Sequence, residues 1–299
     1  MLTRRRFLRT AVAAAAMPLV GCGHHLARKK FPGKRSDFHD VGDLPLPTLQ
    51  IGPSTGRGVI VLHEIPGLTK DDLALARALG QRGFNVFAPL MFGTPEQDTV
   101  LGGYLQACRK DRFECSALSA RSPILDKLAG VCDGVYARTG HDVGVIGMCL
   151  TGVLPLALLD HHVDAAILCQ PTVPFDALRG IPVGEQVHNL GLGADDLDAA
   201  RRSPVPFLLI HYDGDRRCPP ERVKAIRDTF ANRVAVIALP GKHHSSLAGD
   251  FDDTAFDDAV DYLGVRLGVE SGARDMRIAR WGPGPGPCRI GVDRTWHAR

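Results

Sequence analysis

Short apolar runs that do not alternate in polarity recur along this chain, each followed by a segment with helical spacing. The runs at 58–63, 84–88, 143–146, 165–169, 206–211 and 234–239 are too short for buried helices, and their consecutive apolar residues suit strands covered on both faces. Helical patterns stand at 71–82, 125–138, 150–159, 221–230 and 254–267. Strand then helix, repeated, specifies an α/β fold with a largely parallel, doubly wound sheet. Ligands of such sheets collect at the carboxyl ends of the strands, so the loops there are the places to look for chemistry.

The two ends of the chain break this pattern. Residues 1–21 begin with Arg4, Arg5, Arg6 and Arg9, continue into an apolar run at 11–20 and close on small residues, with no acid before Asp37. The run is too short to span a bilayer comfortably and reads as an export signal. Thr3-Arg4-Arg5-Arg6-Phe7-Leu8-Arg9 resembles a twin-arginine signal, and Leu19-Val20-Gly21-Cys22 resembles a bacterial lipobox, in which Cys22 would be lipidated. A polar, basic tether at 22–45 follows, then a single domain at 46–270. The tail at 271–299, with Arg280-Trp281-Gly282-Pro283-Gly284-Pro285, is too dense in Gly and Pro for a helix or central strand and is expected to be disordered.

Charge follows from this division. The whole chain carries +3, but residues 1–21 hold four arginines and no acid, so their removal leaves −1. That balance gives no electrostatic basis for a nucleic-acid partner. A multiply acylated Cys22 would instead bring the protein to a membrane, since one acyl chain binds only marginally. The expected address is therefore the bacterial envelope, periplasmic or membrane-anchored.

Eight cysteines do not form a small stapled scaffold here: Cys108 and Cys115 could close a short loop, while Cys132, Cys169, Cys218 and Cys288 show no evident pairing. No CxxC occurs, and the adjacent pairs His24-His25, His161-His162 and His243-His244 point in different directions on regular elements. Neither metal nor cofactor is expected.

The remaining cysteine, Cys149, stands where the buried run at 143–146 passes through Gly147-Met148-Cys149-Leu150-Thr151-Gly152 into an apolar segment. A side chain on so sharp a turn is projected above the sheet, and its neighbours must be small. A helix N-terminus there would favour the thiolate. By itself the pattern fits a small buried residue equally well. Pro155, six residues on, should interrupt a backbone hydrogen bond of the helix.

Two further loops supply chemical partners. The strand at 206–211 leads into Tyr212-Asp213-Gly214-Asp215-Arg216-Arg217-Cys218-Pro219, and the strand at 234–239 leads into Pro240-Gly241-Lys242-His243-His244-Ser245. Nucleophile, acid and histidine in this order, each after a strand, is the chain order of the α/β-hydrolase triad.

From residue 46 to 267 the sequence resembles the dienelactone hydrolase family, α/β-hydrolases with a Cys-His-Asp triad and a Gly-x-Cys-x-Gly-Gly elbow. The elbow matches except at Thr151; Asp215 with Pro219 matches the acid turn, ahead of Asp213; His244-Ser245 matches the His-Ser pair, ahead of His243. Val61-Leu62-His63-Glu64-Ile65-Pro66-Gly67 and Ala88-Pro89-Leu90-Met91-Phe92-Gly93 resemble the segments that close two core strands. The resemblance implies Cys149 as nucleophile, His244 as proton carrier and Asp215 as its orienting acid. It implies Glu64 as the group that switches the thiol, and backbone N–H groups of Ile65 and Leu150 as the oxyanion hole. The family's substrate-gripping arginine, four residues past the histidine, is Ala248 here. Arg109, Arg112 or Arg121 could substitute for it.

The expected activity is hydrolysis of a small-molecule ester or lactone through an acyl-enzyme, with no nucleic-acid partner and a membrane contact through Cys22. The alternative is a catalytically idle α/β-hydrolase fold acting as an envelope binding protein.

Overall fold

A computed structural model describes residues 39–93, 102–103, 107, 122–172, 190–269 and 289–290. The signal at 1–21, Cys22, the His24-His25 pair, Cys108, Cys115, Cys288, Arg109, Arg112 and Arg121 lie outside the described residues.

Among the described residues the strands are β1 (His39–Asp40), β2 (Thr48–Ile51), β3 (Gly58–Leu62), β4 (Asn85–Pro89), β5 (Val143–Met148), β6 (Val163–Cys169), β7 (Phe207–Tyr212), β8 (Val234–Leu239) and β9 (Arg289–Ile290). They form one sheet in the order β1-β2-β4-β3-β5-β6-β7-β8-β9. β1–β2 and β2–β4 pair antiparallel, and every later pairing is parallel. β1 falls in the segment read as a tether, and β9 comes from the Gly/Pro-rich tail, two residues of which extend the sheet beside β8.

The helices are α1 (Lys70–Gln81), α2 (Pro123–Thr139), α3 (Ala194–Arg202), α4 (Pro220–Phe230) and α5 (Asp253–Leu267). They cover both faces of the sheet. Ile60 and Leu62 of β3 join Val145, Leu168 and Leu209 in a core completed by Leu128 and Val135 of α2 and Ile226 of α4. Val59 and Val61, pointing the other way, join Ile146, Ile167 and Leu208 under Leu75 and Leu79 of α1 and Phe256 and Leu263 of α5. Both sets of alternate positions are therefore apolar, which is why the strands read as continuous apolar runs. None of the described helices is long and apolar enough to cross a membrane.

Local chemistry fixes the helix ends nearest the site. Thr69 caps α1, its hydroxyl accepting the N–H groups of Asp71 and Asp72 at 3.2 Å, while the Asp72 carboxylate accepts the Thr69 N–H at 2.8 Å. Asp252 caps α5, accepting the Ala255 N–H at 2.9 Å.

Two departures from the sequence reading stand out. β2 and α3 have no counterpart in it: α3 is Ala-Asp-Asp-Leu-Asp-Ala-Ala-Arg-Arg, whose apolar face is too thin to show periodicity. The segment at 150–159, expected as a helix, is not α-helical. It forms a 3₁₀ turn at Cys149–Thr151 and a second at Leu154–Leu158. Pro155 has no N–H to donate, so an i→i−4 ladder cannot run through it, and the chain tightens into the shorter repeat. Cys149 therefore stands at the start of no long helix and gains no long helix dipole.

Candidate active site

Strand β5 ends at Met148, and the next residue, Cys149, has φ of 53°, in the left-handed region that costs a non-glycine residue about 1–2 kcal/mol. The surroundings hold it there. The Cys149 carbonyl accepts the N–H of Gly152 at 3.1 Å and of Thr172 at 3.0 Å. Glycine is required on both sides: a Cβ on Gly147 would stand 2.3 Å from the Thr151 carbonyl oxygen, and one on Gly152 2.6 Å from Pro171 Cα.

Thr151, where the family elbow has glycine, is fully buried, and its hydroxyl is committed. Oγ1 accepts the Met148 N–H at 3.0 Å, and its one proton is shared between the Leu62 carbonyl at 3.1 Å and the Met148 carbonyl at 3.0 Å. The departure thus ties the cysteine turn to the carboxyl end of the neighbouring strand β3.

That strand end carries Glu64. His63, buried, donates from Nδ1 to the Glu64 carbonyl at 3.0 Å and accepts the Met91 N–H on Nε2 at 3.1 Å, so the ends of β3 and β4 are joined through one neutral imidazole. Burial pushes His63 down to about 4. The Glu64 carboxyl is buried and accepts the Ser245 hydroxyl. Burial, with the nearby charge of Asp72, pushes Glu64 up to about 8; the Ser245 hydrogen bond and the Arg217 charge offset part of the rise, and Asp250 adds to it slightly. Asp72 is raised to about 7, chiefly by burial. Two buried acids thus lie near each other, Asp72 at the cap of α1 and Glu64 at the end of β3.

Asp215 and His244 follow β7 and β8, which are adjacent and parallel. Their side chains meet: His244 Nδ1 lies 2.6 Å from Asp215 Oδ2, both groups buried, and Asp215 Oδ1 accepts the Arg217 N–H at 2.8 Å. Asp213 instead accepts the Gly241 N–H at 3.0 Å and serves the loop. His243 is exposed and packs edge-on against Tyr212. Of each pair, the structure brings Asp215 and His244 together.

A His244 ring nitrogen, the Cys149 sulfur and a Glu64 oxygen all lie within 4.8 Å of one another. With Nδ1 held by Asp215, Nε2 is the nitrogen left to act, and it is buried with no hydrogen-bond partner among the described residues. Glu64, Cys149, Asp215 and His244 therefore converge from four strand ends. Ile65 and Leu150 stand one residue beyond Glu64 and Cys149 at paired parallel strands. Ala248 is buried in the apolar core, so no cation occupies that position. The pair His161-His162 divides between Asp133 and Asp142 at the surface, and His162 stacks on Tyr136.

Several functional-looking residues escaped the sequence reading. Asp250 accepts the backbone N–H of His244 at 2.9 Å and of Ser245 at 3.3 Å, shaping the histidine loop. Ser246 donates to Gln170 at 2.8 Å, tying that loop to the end of β6. Only the polar cluster Ser245-Ser246 and the turn residue Gly249 before Asp250 signalled a structured loop. A cavity of about 340 Å³ opens beside His244, lined by Arg216, Arg217, Lys242 and His243 with Asp215 and Asp250.

A mostly parallel sheet wrapped by helices, with a cysteine elbow, an acid and a histidine in that chain order on the loops after β5, β7 and β8, is the arrangement of the α/β-hydrolase fold. A family profile matches residues 47–255 as "Dienelactone hydrolase family". The chain belongs to that family, and with it to the carboxylic ester hydrolases. Solved structures share the fold at low identity. A candidate dienelactone hydrolase from Klebsiella pneumoniae subsp. pneumoniae has a TM-score of 0.56 at 21% identity, covering 75% of this chain and 93% of that one. A cold-adapted esterase from an Arctic intertidal metagenomic library gives 0.53 at 18%, covering 74% and 88%. A Pyrococcus furiosus esterase gives 0.54 at 14%, covering 77% and 93%. A search of curated protein sequences gave no match.

Two outcomes follow from these contacts. Thr151→Val keeps the shape but strands the buried Met148 N–H and Leu62 carbonyl, and should cost about 1–3 kcal/mol in urea unfolding; an unchanged midpoint and slope would rule the tie out. The second concerns pH. Both raised carboxyls bind a proton more tightly folded than unfolded, so their contribution is complete below the ordinary carboxylate range and is lost as pH rises through about 7 and about 8. Unfolding free energy measured from pH 6.5 to 9 should therefore fall, and Asp72→Asn should flatten the decline; a rising curve, or one indifferent to the substitution, contradicts this.

Proposed function

We propose that the chain hydrolyses a small-molecule ester or lactone with Cys149 as nucleophile, His244 as proton carrier and Asp215 as the acid that orients it. The observation that carries this reading is the left-handed Cys149, its sulfur within 4.8 Å of a ring nitrogen of His244, whose Nδ1 is held 2.6 Å from the buried Asp215. Such an arrangement activates a nucleophile by a base that a third group keeps in one tautomer.

The chemistry follows atom by atom. His244 Nε2 takes the thiol proton as sulfur attacks the carbonyl carbon, and the carbonyl electrons move onto oxygen. Backbone N–H groups of Ile65 and Leu150 receive that oxyanion, a contribution of about 10²–10³-fold per donor. The carbonyl reforms, the C–O bond breaks, and the imidazolium protonates the leaving alkoxide. Water, deprotonated by His244, then attacks the thioester, releases the acid and restores the thiol. Glu64, buried beside the sulfur, serves as the switch between resting thiol and attacking thiolate. The cavity beside His244 carries Arg216, Arg217 and Lys242 together with Asp215 and Asp250, and its excess of cations favours an ester with an anionic portion. The departures at Thr151 and Ala248 are the features that would suit an idle binding protein, and the contact of His244 with Asp215 beside Cys149 weighs against it.

We also propose an envelope address, with Cys22 lipidated; its support is the N-terminal sequence alone. Labelling of expressing cells with radioactive palmitate should mark the protein and fail to mark Cys22→Ala, and equal labelling of both would end that reading. For the catalytic reading, Cys149→Ala and His244→Ala, checked for folding by circular dichroism, should each lose about 10³-fold or more in kcat/KM on aryl esters and lactones cleaved by the unaltered protein. Full activity in a folded Cys149→Ala protein would refute it.

A further inference from the structure

The same three side chains that gather at the elbow form a set of donors for a metal ion. We propose that Glu64, Cys149 and His244 bind one thiophilic divalent cation, of the Zn²⁺ or Cd²⁺ class, and that its binding silences ester cleavage. The inhibition rests on the hydrolase reading above; the binding does not.

Geometry comes first. One sulfur, one imidazole nitrogen and one carboxylate oxygen within 4.8 Å of one another need to close by about 1 Å to surround a tetrahedral ion with bonds of about 2.0–2.3 Å. Closing that distance moves the Cys149 and Glu64 side chains, and Glu64 shares or gives up the Ser245 hydroxyl as it does so. His244 is held by one nitrogen and offers the other. Nε2 is buried without a hydrogen-bond partner among the described residues, and Nδ1 is held 2.6 Å from Asp215. A carboxylate on the far nitrogen of a liganding imidazole is the support that zinc-bound histidines use, because it fixes the ring and raises its basicity.

Donor type decides which ion. A thiolate excludes Mg²⁺ and Ca²⁺, which take oxygen, and favours soft or borderline cations. Binding releases the thiol and carboxyl protons to solvent and involves no oxidation. The bound ion takes the sulfur lone pair needed for attack and the nitrogen lone pair needed to accept its proton. Hydrolysis therefore stops while the ion stays and resumes when a chelator removes it.

The test titrates the purified full-length protein, freed of metal, with Co²⁺ and reads the thiolate-to-metal charge-transfer and ligand-field bands. Zn²⁺ is then added to displace the cobalt, while aryl-ester hydrolysis and alkylation of Cys149, followed by peptide mass spectrometry, are measured alongside. One equivalent should produce the bands, protect Cys149 from alkylation and abolish hydrolysis reversibly with a chelator. Folded Cys149→Ser should lose the charge-transfer band, and Asp215→Asn should bind about 10–100-fold more weakly. Absence of the bands at millimolar Co²⁺, bands that survive in Cys149→Ser, or Zn²⁺ that raises the hydrolysis rate would overturn the proposal. A protein that binds the ion yet cleaves no ester keeps this inference and loses the hydrolase reading; one that cleaves esters indifferently to Zn²⁺ does the reverse.

Discussion

Everything at the site depends on a turn that the chain would not adopt unaided. Cys149 leaves strand β5 in the left-handed region, and a non-glycine residue stays there only where its surroundings overdetermine it. Strand β5 runs parallel between β3 and β6, so its end cannot shift without breaking both ladders. The Cys149 carbonyl is taken by Gly152 and Thr172, and the Thr151 hydroxyl fastens the turn to β3. The strain is local, and the sheet supplies the rigidity that maintains it.

From that fixed point, polar contacts run outward across the strand ends. His63 joins β3 to the segment after β4, Ser245 joins Glu64 to the histidine loop, and Ser246 joins that loop to Gln170 after β6. Asp250 shapes the loop from within. These bonds cross from one loop to another in buried surroundings, where an unpaired polar group is costly, so the loops are held together as one unit. Glu64 and Asp72 are the exception that buried networks allow at working sites: two acids whose burial favours the protonated form, Glu64 within 4.8 Å of the Cys149 sulfur.

Much of this was legible in the chain. The alternation of unbroken apolar runs with helical spacing specified the parallel sheet, because burial on both faces forces apolar residues at consecutive positions. The order of Cys149, Asp215 and His244 on loops after strands put them on one edge of it. Less was legible where the signal is weak or non-local. Helix α3 has too few apolar residues to show a period, and Pro155 announced an interrupted helix without saying that the whole segment would tighten into 3₁₀ turns. The pairing of Arg289–Ile290 with β8 depends on a partner some fifty residues away.

By itself, then, the sequence determined the class of fold and the loops that carry the cysteine, acid and histidine, since these depend on local period and chain order, while its motifs carried the resemblance to the family. Only the tertiary structure decided that Thr151 replaces a glycine by bonding strand to turn, and that Asp215 and His244, which the motifs put ahead of Asp213 and His243, meet at 2.6 Å. It also decided that Glu64 sits among buried acids within reach of both sulfur and imidazole. Which side chain points inward, and what it meets there, is fixed by packing between elements distant in the chain, and residue order alone does not encode those distances.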